Sequence, residues 1–273
     1  MSRVALVTGG SKGVGQGIVV GLAEAGWTVH FSGRSEGRLE ETRSRAAETG
    51  ARVVVHTCDH TDDAQVKALV DGVIDQEGQL DLLVNNVWAG PRMNHVTPEK
   101  FWERPIDDWD TLISVGLRAH YVAAHAAAPA MVARREGLIV NITSVGTRAY
   151  LHSTLYGMSK AALDKMTFDM ALELREFGVN VVSLWPGLVR TKQLLASGVD
   201  NIAGVPITDA ETPELQGRVI ARLAAAPDLT KRTGTAQITA ELADEFDIEE
   251  PGGGKPISPR AMFGGGPIFP PLP

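Results

Sequence analysis

Six short runs rich in Val, Ile and Leu recur along this chain, each followed by a segment of different periodicity. That alternation constrains the fold more than any other feature. The runs are RVALVT at 3–8, TVHFS at 28–32, RVVVHT at 52–57, LDLLV at 80–84, GLIVNI at 137–142 and VNVVSL at 179–184. Aliphatic and β-branched clusters of this length read as strands. Between them, segments at about 15–25, 35–48, 62–76, 107–134 and 154–177 carry helical periodicity. Repeated β-α units need right-handed crossovers and build a parallel sheet covered on both faces. The strands are continuous apolar runs, not alternating ones, as strands buried on both faces should be. The expected fold is a doubly wound α/β sheet, in which ligands bind just beyond the carboxyl ends of the strands.

With 273 residues, 44% hydrophobic and 22% charged, the chain is long enough for a large core. We read residues 1–248 as one doubly wound domain. Residues 249–273 read as a Gly/Pro-rich tail whose Met262, Phe263, Ile268 and Phe269 either dock on the body or extend from it. A net charge of -7 gives no basic footprint for nucleic acid, so small molecules are the expected partners. The opening MSRVALVTGG is unlike a secretory signal, and no run reaches the roughly 18 apolar residues of a membrane span. Cys58 is the single cysteine, which excludes an intrachain disulfide and a cysteine-based zinc site. No metal is expected, and the cytoplasm is the expected location.

TGGSKGVG at 8–15 lies where the first strand ends and a helix begins, the context of a phosphate-binding loop. Gly9, Gly13 and Gly15 permit unusual backbone angles and close approach of a pyrophosphate to the positive helix end. Thr8, Ser11, Lys12 and Val14 complete this candidate cofactor loop. The second strand ends FSGRSEGR, with Arg34 and Ser35 where an NAD-binding chain normally places an acid for the ribose hydroxyl. Arg34 and Lys12, with Arg38 nearby, suit a 2'-phosphate, so NADP(H) is the expected cofactor.

Tyr156 and Lys160 stand four apart in STLYGMSKAALDKM, on one face of a predicted helix. A neighbouring ammonium favours the phenolate and draws the tyrosine toward working pH for general acid-base chemistry. The preceding strand ends in NITS, where Thr143 or Ser144 offers a hydroxyl to a carbonyl oxygen. Ser144 is our choice.

T-G-x-x-x-G-x-G, Asn85-Asn86, a serine after the fifth strand, Tyr156-x-x-x-Lys160 and Pro186-Gly187, in this order, resemble the short-chain dehydrogenase/reductase family over about residues 1–245. The resemblance implies a catalytic Ser144, Tyr156 and Lys160, with Lys160 also binding nicotinamide ribose. It implies adenine contact by Asp59, adenine-ribose contact by Asn86, and nicotinamide contact by Pro186, Gly187, Val189 and Thr191. From the residues alone, Asp59 also reads as a helix cap and Asn85-Asn86 as turn residues. Two departures stand out: Val87-Trp88-Ala89-Gly90 follows the asparagine pair, and Gly116 occupies the place of an asparagine that supports a proton relay. SVGLRAHY, GLIVNITS, YGMSKAA and SLWPGLV are similar to one branch of the family, regarded as NADPH-dependent reductases of steroids and other carbonyl compounds.

The segment 188–209 lacks sustained periodicity and reads as a mobile cover, with Leu188, Leu194, Leu195 and Ile202 as substrate contacts or short-helix core. Trp88, His95 and Trp102 fall in a candidate substrate-side insertion. The Ala-rich AHYVAAHAAAPAM serves either a subunit contact or the monomer core, and the resemblance implies a homodimer or homotetramer. The expected reaction is hydride transfer between nicotinamide and a ketone, aldehyde or secondary alcohol. The alternatives are a 3-oxoacyl-thioester or sugar-alcohol oxidoreductase, or an NADPH-binding protein weakened in catalysis.

Overall fold

In the computed structural model, which describes residues 2–89, 99–202, 204–251 and 254–264, all six expected strands enter one parallel sheet. They are β1 (Val4–Val7), β2 (Thr28–Gly33), β3 (Val53–Thr57), β4 (Leu82–Asn85), β5 (Gly137–Ile142) and β6 (Val179–Trp185). A two-stranded hairpin of β7 (Asn201–Ile202) and β8 (Val205–Pro206) stands apart, and β9 (Ala236–Ile238) adds a seventh strand beside β6. The order is β3-β2-β1-β4-β5-β6-β9, a Rossmann-like sheet. The chain reverses its direction of growth between β1 and β4, where Ala5 pairs with Leu82 and Val7 with Val84. That reversal opens a crevice at the strand ends. Strand β9 was not anticipated, because three residues are too few to carry a period.

The helices are α1 (Gly13–Glu24), α2 (Glu36–Ala47), α3 (Asp63–Glu77), α4 (Ala119–Arg134) and α5 (Thr154–Leu174), followed by α6 (Lys192–Leu195), α7 (Pro213–Leu223), α8 (Leu229–Arg232), α9 (Thr239–Glu245) and α10 (Pro259–Phe263). The helix expected over 107–134 begins as a π-helical stretch, Asp110–Arg118, that runs into α4. Segment 188–209, expected to be a mobile cover, carries the short α6 and the β7–β8 hairpin.

Successive residues of a strand face opposite sides of a sheet, and β1 divides accordingly. Ala5 and Val7 join Ile18, Val19, Leu215 and Val219 from α1 and α7, whereas Val4 and Leu6 join Val66, Val70, Ala123, Ala127 and Ala171 from α3, α4 and α5. Thus Ala123, Ala124 and Ala127 of the Ala-rich segment lie inside the monomer core. Helices α1 and α7 pack unusually closely because glycines form the contact. A Cβ on Gly217 would lie 2.5 Å from the Ile18 carbonyl, and one on Gly21 would lie 2.5 Å from that of Glu214.

The described residues beyond Ile248 are tied to the body. Glu250 is buried and accepts from Thr212 N at 2.5 Å and Thr212 Oγ1 at 2.6 Å. Glu241 of α9 accepts from Ser258 Oγ at 2.7 Å and Arg260 Nε at 2.8 Å. Phe263 is partly exposed. Gly90, His95, Ile268, Phe269 and the Met262 side chain lie outside the described residues. No helix among the described residues is long and apolar enough to cross a membrane.

Candidate active site

The carboxyl ends of β1 and β4 are clasped together by side chains. Buried Thr8 accepts through Oγ1 from Asn86 N at 3.0 Å and Val87 N at 3.2 Å, and Asn86 Nδ2 donates to the Thr8 and Gly9 carbonyls, each at 3.0 Å. Both amide hydrogens of Asn86 are therefore used within the protein. The clasp requires glycine: Gly9 has φ +69, and a Cβ there would lie 2.7 Å from Val87 Cα. A Cβ on Gly15 would collide with the Gly9 carbonyl and the Asn86 amide. Gly13 also has positive φ, at +56, and a Cβ there would come within 3.6 Å of Thr191 Cγ2, so the glycine loop faces the segment after β6. Lys12 is exposed at the start of α1 and supplies no side-chain cap, which leaves the first N–H groups of the helix open to an anion. Val14 packs half-buried on the core, and Ser11 lies over Gly33 at the end of β2.

Arg34 and Ser35 follow β2 and are exposed, as is Arg38 in the first turn of α2. Beyond β3, Asp59 accepts from Thr61 N at 3.0 Å and Thr61 Oγ1 at 2.9 Å. Those bonds, with the charge of Arg34 adding to them, hold its carboxyl below the usual carboxylate range. Asp59 does not cap α3; Asp62 does, accepting from Ala64 N and Gln65 N.

Beyond β5 the chain brings the proposed proton-transfer groups together. Ser144 is buried, accepts from Gly146 N at 3.0 Å, and is hydrogen-bonded to the Tyr156 phenol. Thr143 points elsewhere, donating to Asp164 Oδ1 at 2.8 Å. Ser153 caps α5 by accepting from Tyr156 N, which fixes the helix start two residues before the tyrosine. Gly146 leaves room for the ring, since a Cβ there would lie 2.6 Å from Tyr156 Cε1. Buried Lys160 donates to the Ile142 carbonyl at 3.1 Å, and its Nζ lies 5.8 Å from the centroid of the tyrosine ring.

The electrostatics differ from the sequence expectation. Burial pushes the Tyr156 phenol upward, the Ser144 hydrogen bond opposes it, and the lysine does not draw it down. Desolvation also lowers the Lys160 ammonium to about 8, opposed by Asp164. Burial holds Asp164 above the carboxylate range despite donors from Thr143, Thr147 and Trp185. Burial dominates because Lys160 and Asp164 are enclosed between the sheet and α5, and the half-buried Tyr156 shares their desolvation.

Of the neighbours of this trio, Trp88 was placed on the substrate side from sequence, and His152 and His120 were not singled out. Trp88 and His152 set their rings edge-on to Tyr156, with centroids 6.4 and 4.8 Å away, and His152 adopts φ +61. His120 is buried; its Nε2 meets the Val87 carbonyl at 2.8 Å. A carbonyl only accepts, so Nε2 carries the proton, and Nδ1 has no partner among the described residues. Gly116, one turn earlier, faces Trp88. Helical spacing from Gly116 is the only signal that pointed to His120.

Beyond β6, Pro186, Gly187, Leu188, Val189 and Arg190 are half-buried, and Val189 forms a bridge with Glu211. Thr191 starts α6, accepting from Leu194 N at 3.2 Å. Leu194 and Ile202 are half-buried and Leu195 is exposed, so none of these candidate substrate contacts is core. Trp102 is 68% exposed, its ring edge-on to that of Phe101.

The family model for the short chain dehydrogenases matches residues 3–200. Dehydrogenase/reductase SDR family member 1 of Mus musculus is 37% identical over 261 residues, covering 91% of this chain and 83% of the relative. Among solved structures, an actinorhodin polyketide ketoreductase variant with NADPH is 27% identical with a TM-score of 0.76, covering 87% of this chain and 95% of that one. An acetoin dehydrogenase from Enterobacter cloacae is 28% identical with a TM-score of 0.74, covering 87% and 94%.

Proposed function

The chain belongs to the short-chain dehydrogenase/reductase family, and on that premise we propose that it is an NADP(H)-dependent carbonyl reductase and alcohol dehydrogenase with Tyr156 as its general acid and base. The observation that carries this reading is the convergence of Ser144, Tyr156 and Lys160 just beyond β5, beside the glycine loop.

The crevice fits a dinucleotide. Its glycines clear the approach to an uncapped helix start, and Thr191 faces the loop from across the cleft. Thr8, Gly9, Ser11, Lys12, Gly13, Val14 and Gly15 would line the pyrophosphate. Asp59 and Asn86 would flank the adenosine, and Pro186, Gly187, Val189 and Thr191 the nicotinamide. Arg34 and Lys12, both exposed and without an acid at the end of β2, favour the 2'-phosphate. The polyketide ketoreductase neighbour carries NADPH, which agrees with that preference.

The bound nicotinamide supplies the hydride. Tyr156 supplies the proton: burial keeps its hydroxyl protonated through neutral pH, as a reductase's acid must be. Ser144 Oγ holds that hydroxyl in the free site, and its one proton would turn to the substrate oxygen when the substrate arrives. Lys160 uses one of its three N–H groups on the Ile142 carbonyl, which leaves two for ribose hydroxyls. Trp88 and His152 wall the half-buried tyrosine ring on two sides.

The test is NADPH oxidation across ketones, aldehydes and steroid-like carbonyls. Turnover is expected, and Tyr156→Phe is expected to cut it by about 10²–10⁴-fold while leaving nucleotide affinity intact. Tight nucleotide binding without turnover on any carbonyl would sink the enzyme reading in favour of a binding protein, the alternative that Gly116 favours. We further propose a cytoplasmic homodimer or homotetramer, to be checked by light scattering and fractionation.

A further inference from the structure

The turn after β6 rests on a buried acid that the reaction itself does not use. Glu211 is 1% exposed and lies in the loop before α7. Its backbone is stitched to the turn: Glu211 N donates to the Leu188 carbonyl at 2.7 Å, and Arg190 N donates to the Glu211 carbonyl at 2.9 Å. Its carboxyl reaches under the same turn. A Cβ on Gly187 would lie 2.7 Å from Glu211 Oε1 and 3.5 Å from the Ile257 carbonyl oxygen, so acid and C-terminal segment meet at one glycine.

The other oxygen is anchored in the body. Glu211 Oε2 accepts from Gln216 Nε2 at 2.6 Å, and Gln216 Oε1 accepts from Thr239 Oγ1 at 2.6 Å, which links α7 to α9. The next residue, Thr212, starts α7 and is gripped through both its N and its Oγ1 by Glu250 of the C-terminal segment. Consecutive residues thus hold the turn above them and the C-terminal segment beside them.

We propose that Glu211 is a positioning residue that clamps the Pro186–Gly187 turn between α7 and the C-terminal segment, holding residues 186–191 in the form that receives the nicotinamide end of the nucleotide. The inference rests on the nucleotide-binding reading above. It assigns work to Glu250 and Ile257, in a segment whose composition reads as a tail.

The chemistry of the clamp is that of a neutral acid. Gln216 Nε2 donates to Oε2, so the neutral acid carries its proton on Oε1, the oxygen beneath Gly187. Burial first, then the nearby Glu250 charge, pushes the Glu211 carboxyl up to about 8, against bonds from Gln216 and the Gly187 backbone. Glu250 is the charged group facing it from the C-terminal segment. Arg190, on the turn itself, is directed to the Thr208 carbonyl, and Arg218 of α7 interacts with Glu250. Ionisation puts a buried charge against the turn that the Gln216 and Gly187 donors offset only in part, so the clamp opens as pH rises through about 8.

The experiment compares wild type with Glu211→Gln, which mimics the neutral acid, and with Glu250→Gln, which removes the facing charge. Two measurements are made from pH 6.5 to 9: the NADPH dissociation constant, and hydrogen-exchange protection factors of the 189–191 amides without nucleotide. With an open clamp unable to bind, the wild-type dissociation constant rises about tenfold by pH 9 relative to Glu211→Gln. Amide protection in wild type falls in parallel. Because Lys160 titrates near the same pH, the readout is the difference between the two profiles. Glu250→Gln is expected to move the wild-type transition to lower pH, since the charge that adds to burial in raising the acid is gone. Parallel profiles for wild type and Glu211→Gln overturn the clamp, as does a transition that Glu250→Gln leaves in place. If NADPH binds at no pH, the functional reading fails, and the exchange measurement still decides the clamp.

Discussion

The Thr143 hydroxyl donates to Asp164 Oδ1 at 2.8 Å, and this bond separates two adjacent hydroxyls that the sequence could not tell apart in role. Both partners lie on α5, about two turns apart: Thr143 is committed to Asp164, and Ser144 meets the Tyr156 phenol. Ser144→Ala is expected to lower kcat by about 10²–10³-fold, the usual effect of removing a donor to a developing oxyanion. Thr143→Val should leave kcat within a few-fold and lower stability by about 1–2 kcal/mol, because Asp164 loses a buried donor. Steady-state kinetics and urea denaturation of both variants check the pair; a larger kinetic loss in Thr143→Val would reverse the assignment.

Arg34 is exposed at the end of β2, and its charge is felt by Asp59. Arg34→Ala is expected to weaken NADPH binding by about 10–100-fold, the worth of one charge-assisted contact, and to leave NADH nearly unaffected. Isothermal titration with both nucleotides measures it. Equal losses for the two would show that Arg34 does not meet the 2'-phosphate.

Buried histidines make the fold acid-sensitive. Desolvation is the main cause that lowers His120 to about 3 and His60 to about 4, while the unfolded value is 6.5. Between pH 4 and 6.5 the unfolded chain therefore binds protons that the folded chain refuses. Stability rises with pH through that window and is complete above it, with each histidine contributing a slope of about 1.4 kcal/mol per pH unit at most. His120→Gln keeps a donor for the Val87 carbonyl and removes the titration. Its denaturation free energies from pH 4.5 to 6.5 should climb less steeply than those of wild type, and an unchanged slope would refute the assignment.

What was legible in the sequence was local. The strands are runs of a few apolar residues, the glycine loop is a contiguous turn, and Tyr156 and Lys160 share a helical face through their spacing alone. Even the family's departures, Gly116 and Val87-Trp88, can be read from single positions. Strand β9 was hidden because its three residues owe their extended form to pairing with β6, where Ser183 meets Ala236. A neighbour 53 residues away leaves no periodic trace.

The tertiary structure alone decided which groups are desolvated and what faces what. Tyr156 and Lys160 were expected to interact through charge, yet burial overrides proximity and moves the phenol upward. Asp164, His120 and Glu211 are ordinary polar residues in the sequence. They become functional candidates only when helices close over them, because the cost of a buried charge depends on the surrounding packing and not on residue type. The same holds for the C-terminal segment, whose glycines and prolines set how freely it bends, whereas Glu250 and Ile257 set where its described residues rest. Sequence determined the sheet, the cradle and the Tyr-Lys pair through short-range geometry. Long-range packing determined which groups of the site are desolvated, which of two hydroxyls meets Tyr156, and what lies beneath the turn after β6.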